Sequence, residues 1–199
     1  MAPPVFIPLP LTADTRSEQR TPPYPCTLRT WHDSVLTLES GATHYGYVWQ
    51  APTQLQRATQ TYALDSGMYF ALPEAGQVGG AGAGIVISRW EETAFFHLGG
   101  PIEATGRLRY IDGCTDSLLI PPVVYGQACL NLLHIPAYTQ QSMHTHPALR
   151  AGIIVSGQGH CVTPTQRYTL TPGCVFLIMA NGAHCFHTET EALQVIAFH

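Results

Sequence analysis

His144 and His146 stand one residue apart, and His184 follows 38 residues after His146. In an extended strand alternate side chains point to the same face, so the first two imidazoles can meet one ion. A third imidazole brought alongside by a later strand completes a facial triad. Such a triad leaves coordination positions open for substrate, water or dioxygen, which separates a catalytic metal from a closed structural one. His187 is the rival third ligand, but strand alternation puts it on the face opposite His184. His134 and His160 are second-tier candidates that sit in no motif. His44 and His97 are isolated, and the terminal His199 is uninformative at this level.

The residues around the three histidines resemble the two motifs of the cupin superfamily. In the stretch from His144 to Gly157 the paired histidines and Gly157 hold the places of the first motif. Arg150 stands where that motif has its glutamate, so the usual fourth ligand is absent. In the stretch from Gly173 to Thr188, Gly173 and His184 hold the places of the second motif, while Met179, Asn181 and Thr188 replace its Pro, Gly and Asn. Asn181 is a mild change, because Asn tolerates the left-handed turn conformation better than most residues. The resemblance covers residues 126–199 and is weak before them. It implies an all-β fold of double-stranded β-helix (jelly-roll) barrels. It also implies a three-histidine centre like that of cupin dioxygenases, which bind Fe(II), let the substrate chelate the metal and deliver oxygen to it. One divalent ion is therefore expected on His144, His146 and His184. Fe2+ is favoured, with Zn2+, Mn2+ and Ni2+ open because imidazole serves all of them.

Arg150 and Phe186 complete the expected site. An arginine at a ligand slot adds a permanent cation whose planar fork suits bidentate binding of carboxylate or phosphate. Two outcomes follow. Pointing inward, Arg150 is an anion clamp beside a neutral three-histidine centre, and the substrate is a carboxylate or enolate. Pointing outward to an acidic partner, it leaves the centre one ligand short, and charged residues are seldom buried without a partner. Tyr138, Phe176, Phe186 and Phe198 are aromatic candidates for the cavity wall, or else ordinary core. Phe186 shares the parity of His184 and is the best of them.

The elements that must position these residues are short strands. With 199 residues the chain suits one or two small domains. Charged residues make up 11% and hydrophobic ones 45%, with 18 Gly and 16 Pro, which favours strands and tight turns over long exposed helices. All nine basic residues are Arg, so lysine Schiff-base chemistry is excluded. A net charge of −4 without a basic run argues against a nucleic-acid partner. No apolar run is long enough to span a membrane, and the Pro-broken start is not a signal peptide. The six cysteines form no CxxC pair and read as mostly reduced thiols of a cytoplasmic protein.

Three segments are expected. Residues 1–25 hold seven prolines and read either as an extended arm or as a disordered tail. Residues 26–120 have the strand rhythm of a cupin half without its metal residues. Within them Gln54 to Gln60 is a weak helix candidate, and the glycine cluster from Gly76 to Gly84 reads as a hairpin loop, lacking the strand-to-helix context of a phosphate loop. The segment from Arg107, through an Asp112-Gly113 turn, to Pro121-Pro122 joins the halves. Residues 121–199 are the metal-binding half, making the chain a bicupin.

The leading functional reading is a dioxygenase-like three-histidine metalloenzyme, or a related lyase or isomerase, acting on a small anionic or aromatic substrate. The competing reading is a non-catalytic small-molecule sensor or binding bicupin, since the second half also resembles the sugar-sensing arm of arabinose-type regulators. A storage-type bicupin is the third. Exposed barrel edges and the Pro-rich segment make a homodimer the expected assembly.

Overall fold

The computed structural model describes residues 4–13, 15–19 and 25–199. In chain order the strands are β1 (Phe6–Leu9), β2 (Arg16–Gln19), β3 (Cys26–Leu38), β4 (Ala42–Gln50), β5 (Thr53–Arg57), β6 (Gln60–Leu64), β7 (Tyr69–Leu72), β8 (Gly76–Trp90) and β9 (His97–Gly99). They continue with β10 (Leu108–Arg109), β11 (Thr115–Ile120), β12 (Leu130–Ile135), β13 (Arg150–Ser156), β14 (Gly159–Val162), β15 (Arg167–Leu170), β16 (Val175–Ile178), β17 (Cys185–His187) and β18 (Leu193–Phe198). One 3-10 turn, Ile111–Gly113, is the helical element among the described residues. The fold is therefore all-β, as the scarcity of charge and the wealth of Gly and Pro predict. No helix among the described residues is long and apolar enough to cross a membrane.

Two compact units divide the chain. The first gathers the described residues of Met1–Pro10 with Glu103–Leu118 and Leu130–His199; the second gathers Leu11–Ile102 and Leu119–Cys129. The first unit thus recruits β1 from the Pro-rich segment and the β10–β11 hairpin from the stretch expected to join the halves. Its strands form a seven-stranded sheet in the order β1-β16-β13-β18-β12-β11-β10 and a three-stranded sheet β15-β14-β17. Phe176, Val195 and Leu133 from the larger sheet bury against Leu170, Cys161 and Phe186 from the smaller. Residues on alternate positions of each strand supply this core, as a sheet with one covered face requires. Pro8 sits opposite Phe176 in β1, an edge strand, where a missing N–H costs no ladder bond.

In the second unit β2-β3-β8-β4-β7-β9 run side by side, with β5 pairing β6 and β8. Trp31, Val48, Leu55, Phe70 and Val86 are buried in its core. Two sequence expectations fail here. The helix proposed over Gln54 to Gln60 is the β5–β6 hairpin, in which Thr53 and Leu55 are buried while Gln54 and Gln56 are exposed. That alternation has a period of two and suits a strand, not a helix. The glycine cluster is not a loop but the first part of β8, held against β3, β4 and β5. A Cβ at Gly79 would lie 2.1 Å from the Ser34 carbonyl oxygen, and one at Gly82 the same distance from that of Gln50. Glycine is needed there because three neighbouring backbones come too close for a side chain.

Of the Pro-rich segment 1–25, the described residues include β1, which pairs with β16, and β2, which pairs with β3. Residues 1–3, 14 and 20–24 lie outside the described residues.

Candidate metal centre

The three motif histidines converge in the first unit. A ladder between Thr139–His144 and His184–Thr188 brings them together. The Thr188 N–H donates to the Thr139 carbonyl at 2.9 Å and the Gln141 N–H to the Phe186 carbonyl at 3.1 Å. His144 and His184 close it with a reciprocal pair of backbone bonds of 3.0 and 2.9 Å. His144 therefore sits on an isolated bridge, not within the continuous strand expected for the paired histidines. His146 is fixed from the other motif, where the Asn181 N–H donates to its carbonyl at 2.7 Å. Asn181 adopts φ 58°, the left-handed turn conformation its side chain tolerates. Gly157 also lies at positive φ, 79°.

One ligand nitrogen from each of His144, His146 and His184 lies within 4.8 Å of the other two. Three such atoms share a common point no more than about 2.8 Å from each, against metal–imidazole bonds of about 2.0–2.1 Å. Ring rotations that close less than 1 Å would bring all three onto one ion. The hydrogen bonds fix which nitrogen is offered. His144 Nδ1–H donates to the Ser142 carbonyl at 2.8 Å, and His184 Nδ1–H to the Gly182 carbonyl at 2.9 Å. A carbonyl can only accept, so each Nδ1 carries a proton and Nε2 is the nitrogen left to ligate. The Asp112-Gly113 turn supports this arrangement. Asp112, at φ 53°, accepts the Ser142 N–H at 2.6 Å, and that contact holds its carboxyl below the usual range.

Charge and burial keep His146 and His184 neutral. Burial first, then Arg150 and the neighbouring histidines, push His146 down to about 3. Burial lowers His184 to about 4, against a backbone hydrogen bond that opposes the shift. These imidazoles are unprotonated at neutral pH, the state in which they can ligate. The donor set suits a divalent ion, and what such an ion would supply is Lewis acidity and an open position for a second ligand.

The cavity holding the triad has about 560 Å³ of empty space counted out to its open mouth. Arg150 lines it, and its charge is felt by His146, His184, His199 and Tyr110. Of the two orientations left open by the sequence, the inward one is found. Phe186 is buried against His184, ring centroids 6.0 Å apart, and lines the same cavity with Phe176 and Ile178. Tyr138 and Phe198 do not line it: Tyr138 is 78% exposed, and Phe198 is buried on the strand face opposite Ala197 and His199. His134, His160 and His187 stay outside it; His160 pairs in register with His187 and faces Glu189 at 3.8 Å. In the second unit both ring nitrogens of the buried His44 are engaged, with Ser88 Oγ at 2.7 Å and the Glu39 carbonyl at 2.8 Å. His97 stacks on Tyr69. All six cysteines are free thiols.

Several lining residues carry no motif signal: Tyr110, Asp116, Asn131, Gln141 and His199. Two could have been found by alternation. Asn131 is one of two polar residues in the apolar run Leu130–Ile135, with His134, and it pairs with Ala197, which shares its face with Val195 and His199. Asp116 and Tyr110 come from the β10–β11 hairpin, and nothing local in the sequence marks them.

Residues 131–199 match the cupin domain family. No curated protein matches the chain by sequence. Among solved structures, a cupin 2 conserved barrel domain protein from Leptotrichia buccalis superposes with a TM-score of 0.68 at 13% identity, over 92% of this chain and 87% of that one. Salicylate 1,2-dioxygenase from Pseudoaminobacter salicylatoxidans, in a structure with gentisate, gives 0.67 at 9% identity over 94% and 73%. Protein Ylba from E. coli gives 0.58 at 16% identity over 92% and 81%. Residues 131–199 thus match the cupin domain family, and the all-β fold of the chain is similar to that of these solved structures.

Proposed function

We propose that the protein is a three-histidine metalloenzyme of the dioxygenase-like kind, acting on a small anionic substrate, aromatic in the first instance. The observation that carries the reading is the sharing of one cavity by three converging imidazoles and an inward arginine. His144, His146 and His184 would hold the metal, with Fe2+ favoured. A bound ion supplies Lewis acidity and, if iron, the capacity to bring dioxygen to a chelated substrate. Arg150 binds the substrate's anionic group through its fork, in a setting whose poor solvation strengthens the contact. Phe176 and Phe186 give the substrate an apolar wall and exclude water from the side away from the mouth. Structural kinship with a salicylate 1,2-dioxygenase at 9% identity supports the fold requirement of this reading.

The two compact units, each with its own β core, support a bicupin in which one barrel has kept a metal site and the other serves packing. Six free thiols support a cytoplasmic setting. A homodimer is the proposed assembly, to be read from sedimentation velocity.

The test is metal analysis of protein purified without chelators, followed by Fe(II) reconstitution and oxygen-uptake assays with hydroxylated benzoates. About one equivalent of metal and substrate-dependent oxygen uptake support the enzyme. Ligand binding with no metal and no uptake turns the assignment to a sensor or binding protein.

A further inference from the structure

The metal-centre reading uses one end of the cavity and leaves the other unexplained. Away from the histidines, the wall carries Asp116 on β11 and Asn131 on β12. Asn131 Nδ2–H donates to Asp116 Oδ1 at 2.7 Å. Its own Oδ1 is buried and accepts nothing, on a side chain only 8% exposed. A carboxylate offers about four acceptor positions, and the Asn131 bond occupies one of them. Asp116 thus brings a carboxylate with unused acceptor capacity to the cavity wall.

The placement of charge fixes the geometry further. Tyr110 feels both the Arg150 cation and the Asp116 carboxylate, while the influences on Asp116 are burial and Asn131 alone. Tyr110 thus lies near both charges, and in the sheet β18 and β12 separate β13, which carries Arg150, from β11, which carries Asp116. Two groups of opposite character at separate points of one small cavity select a ligand with complementary ends, because an unfilled buried acceptor costs as much as a good contact returns.

We infer that Asp116, held by Asn131, is a specificity-determining residue that accepts a hydrogen bond from a hydroxyl or amino group of the substrate, whose anionic group lies at the Arg150 and histidine end. The substrate class is then a small hydroxy- or amino-substituted carboxylate, not an unsubstituted one. This rests on the reading that the cavity binds an anion. Asp116 receives the donor, and Asn131 orients the Asp116 carboxylate through its Nδ2–H.

The test is calorimetric binding of benzoate, 3-hydroxybenzoate, 4-hydroxybenzoate and the two matching methoxybenzoates to zinc-loaded protein. The 3- and 4-hydroxyl groups cannot chelate a metal that holds the carboxylate, so a preference for them reports the acceptor end alone. At least one hydroxybenzoate should bind about tenfold more tightly than benzoate and than its methoxy analogue, the size expected for a hydrogen bond to a charged group. Asp116→Asn keeps shape and the bond from Asn131 and should reduce that preference to about threefold or less, with benzoate affinity unchanged. Arg150→Gln should weaken every probe alike and leave the ratio intact. Equal binding of hydroxy, methoxy and plain benzoates by the parent overturns the inference without reference to any variant, as does an unchanged ratio in Asp116→Asn. A hydroxyl preference that survives while Arg150→Gln binds benzoate normally leaves this inference standing and sinks the anion reading instead.

Discussion

Replacing Arg150 with Gln removes a charge at the centre of the proposed chemistry while keeping a hydrogen-bonding side chain of similar reach. Arg150 is half-buried at the start of β13, opposite Ile178, and faces the cavity that also holds His146, His184 and His199. That cavity is poorly solvated, since burial is the leading cause that takes His146 to about 3 and His199 to about 4. A charge-assisted hydrogen bond contributes about 1.5–3 kcal/mol, and partial exposure of the guanidinium places this one in the lower half of that range. Loss of about 1.5–2 kcal/mol is a factor of about ten to thirty in affinity. Titration calorimetry with benzoate against parent and variant reads this directly. Metal stoichiometry should be the same in both, because three histidines and not the arginine are the proposed ligands. Benzoate affinity within about threefold of the parent would refute the reasoning, and so would a variant that loses metal along with ligand.

Changing His146 or His184 to Gln should remove most bound metal, measured by elemental analysis, while His187→Gln leaves it in place. Gly157→Ala should destabilise the fold by at least about 2 kcal/mol in denaturant unfolding, because φ is +79° and the new Cβ would lie 1.7 Å from the Ala192 carbonyl oxygen. Acid should destabilise the metal-free protein through His44, whose pKa burial lowers. The unfolded chain takes up its proton first, near pH 6.5, so stability is full above about that value and declines as pH falls through the lower folded value; a melting temperature flat from pH 7 to pH 5 would contradict this. Phe186→Ala should cost about 3–5 kcal/mol, since the ring is buried among Phe176, His184 and the core.

The sequence by itself determined the all-β class, most strands of the C-terminal region and the three histidines, because each is a local property. Alternation of apolar and polar residues reports strands, and motif spacing reports histidines that converge. It also marked Asn181 as a turn residue, since positive φ restricts residue type wherever it occurs. Tertiary structure decided the rest. Whether Arg150 points inward depends on the strands beside it, which the residue's own neighbours in sequence do not reveal. His144 lies on a bridge opposite His184 because a ladder from Thr139 to His144 aligns it, and ladder register is a long-range property. The glycine cluster became a strand because β3, β4 and β5 approach it, contacts made by residues up to about fifty positions away. Asp116 and Tyr110 reached the cavity through the β10–β11 hairpin, whose pairing with the sheet is set by packing and not by any pattern within the hairpin.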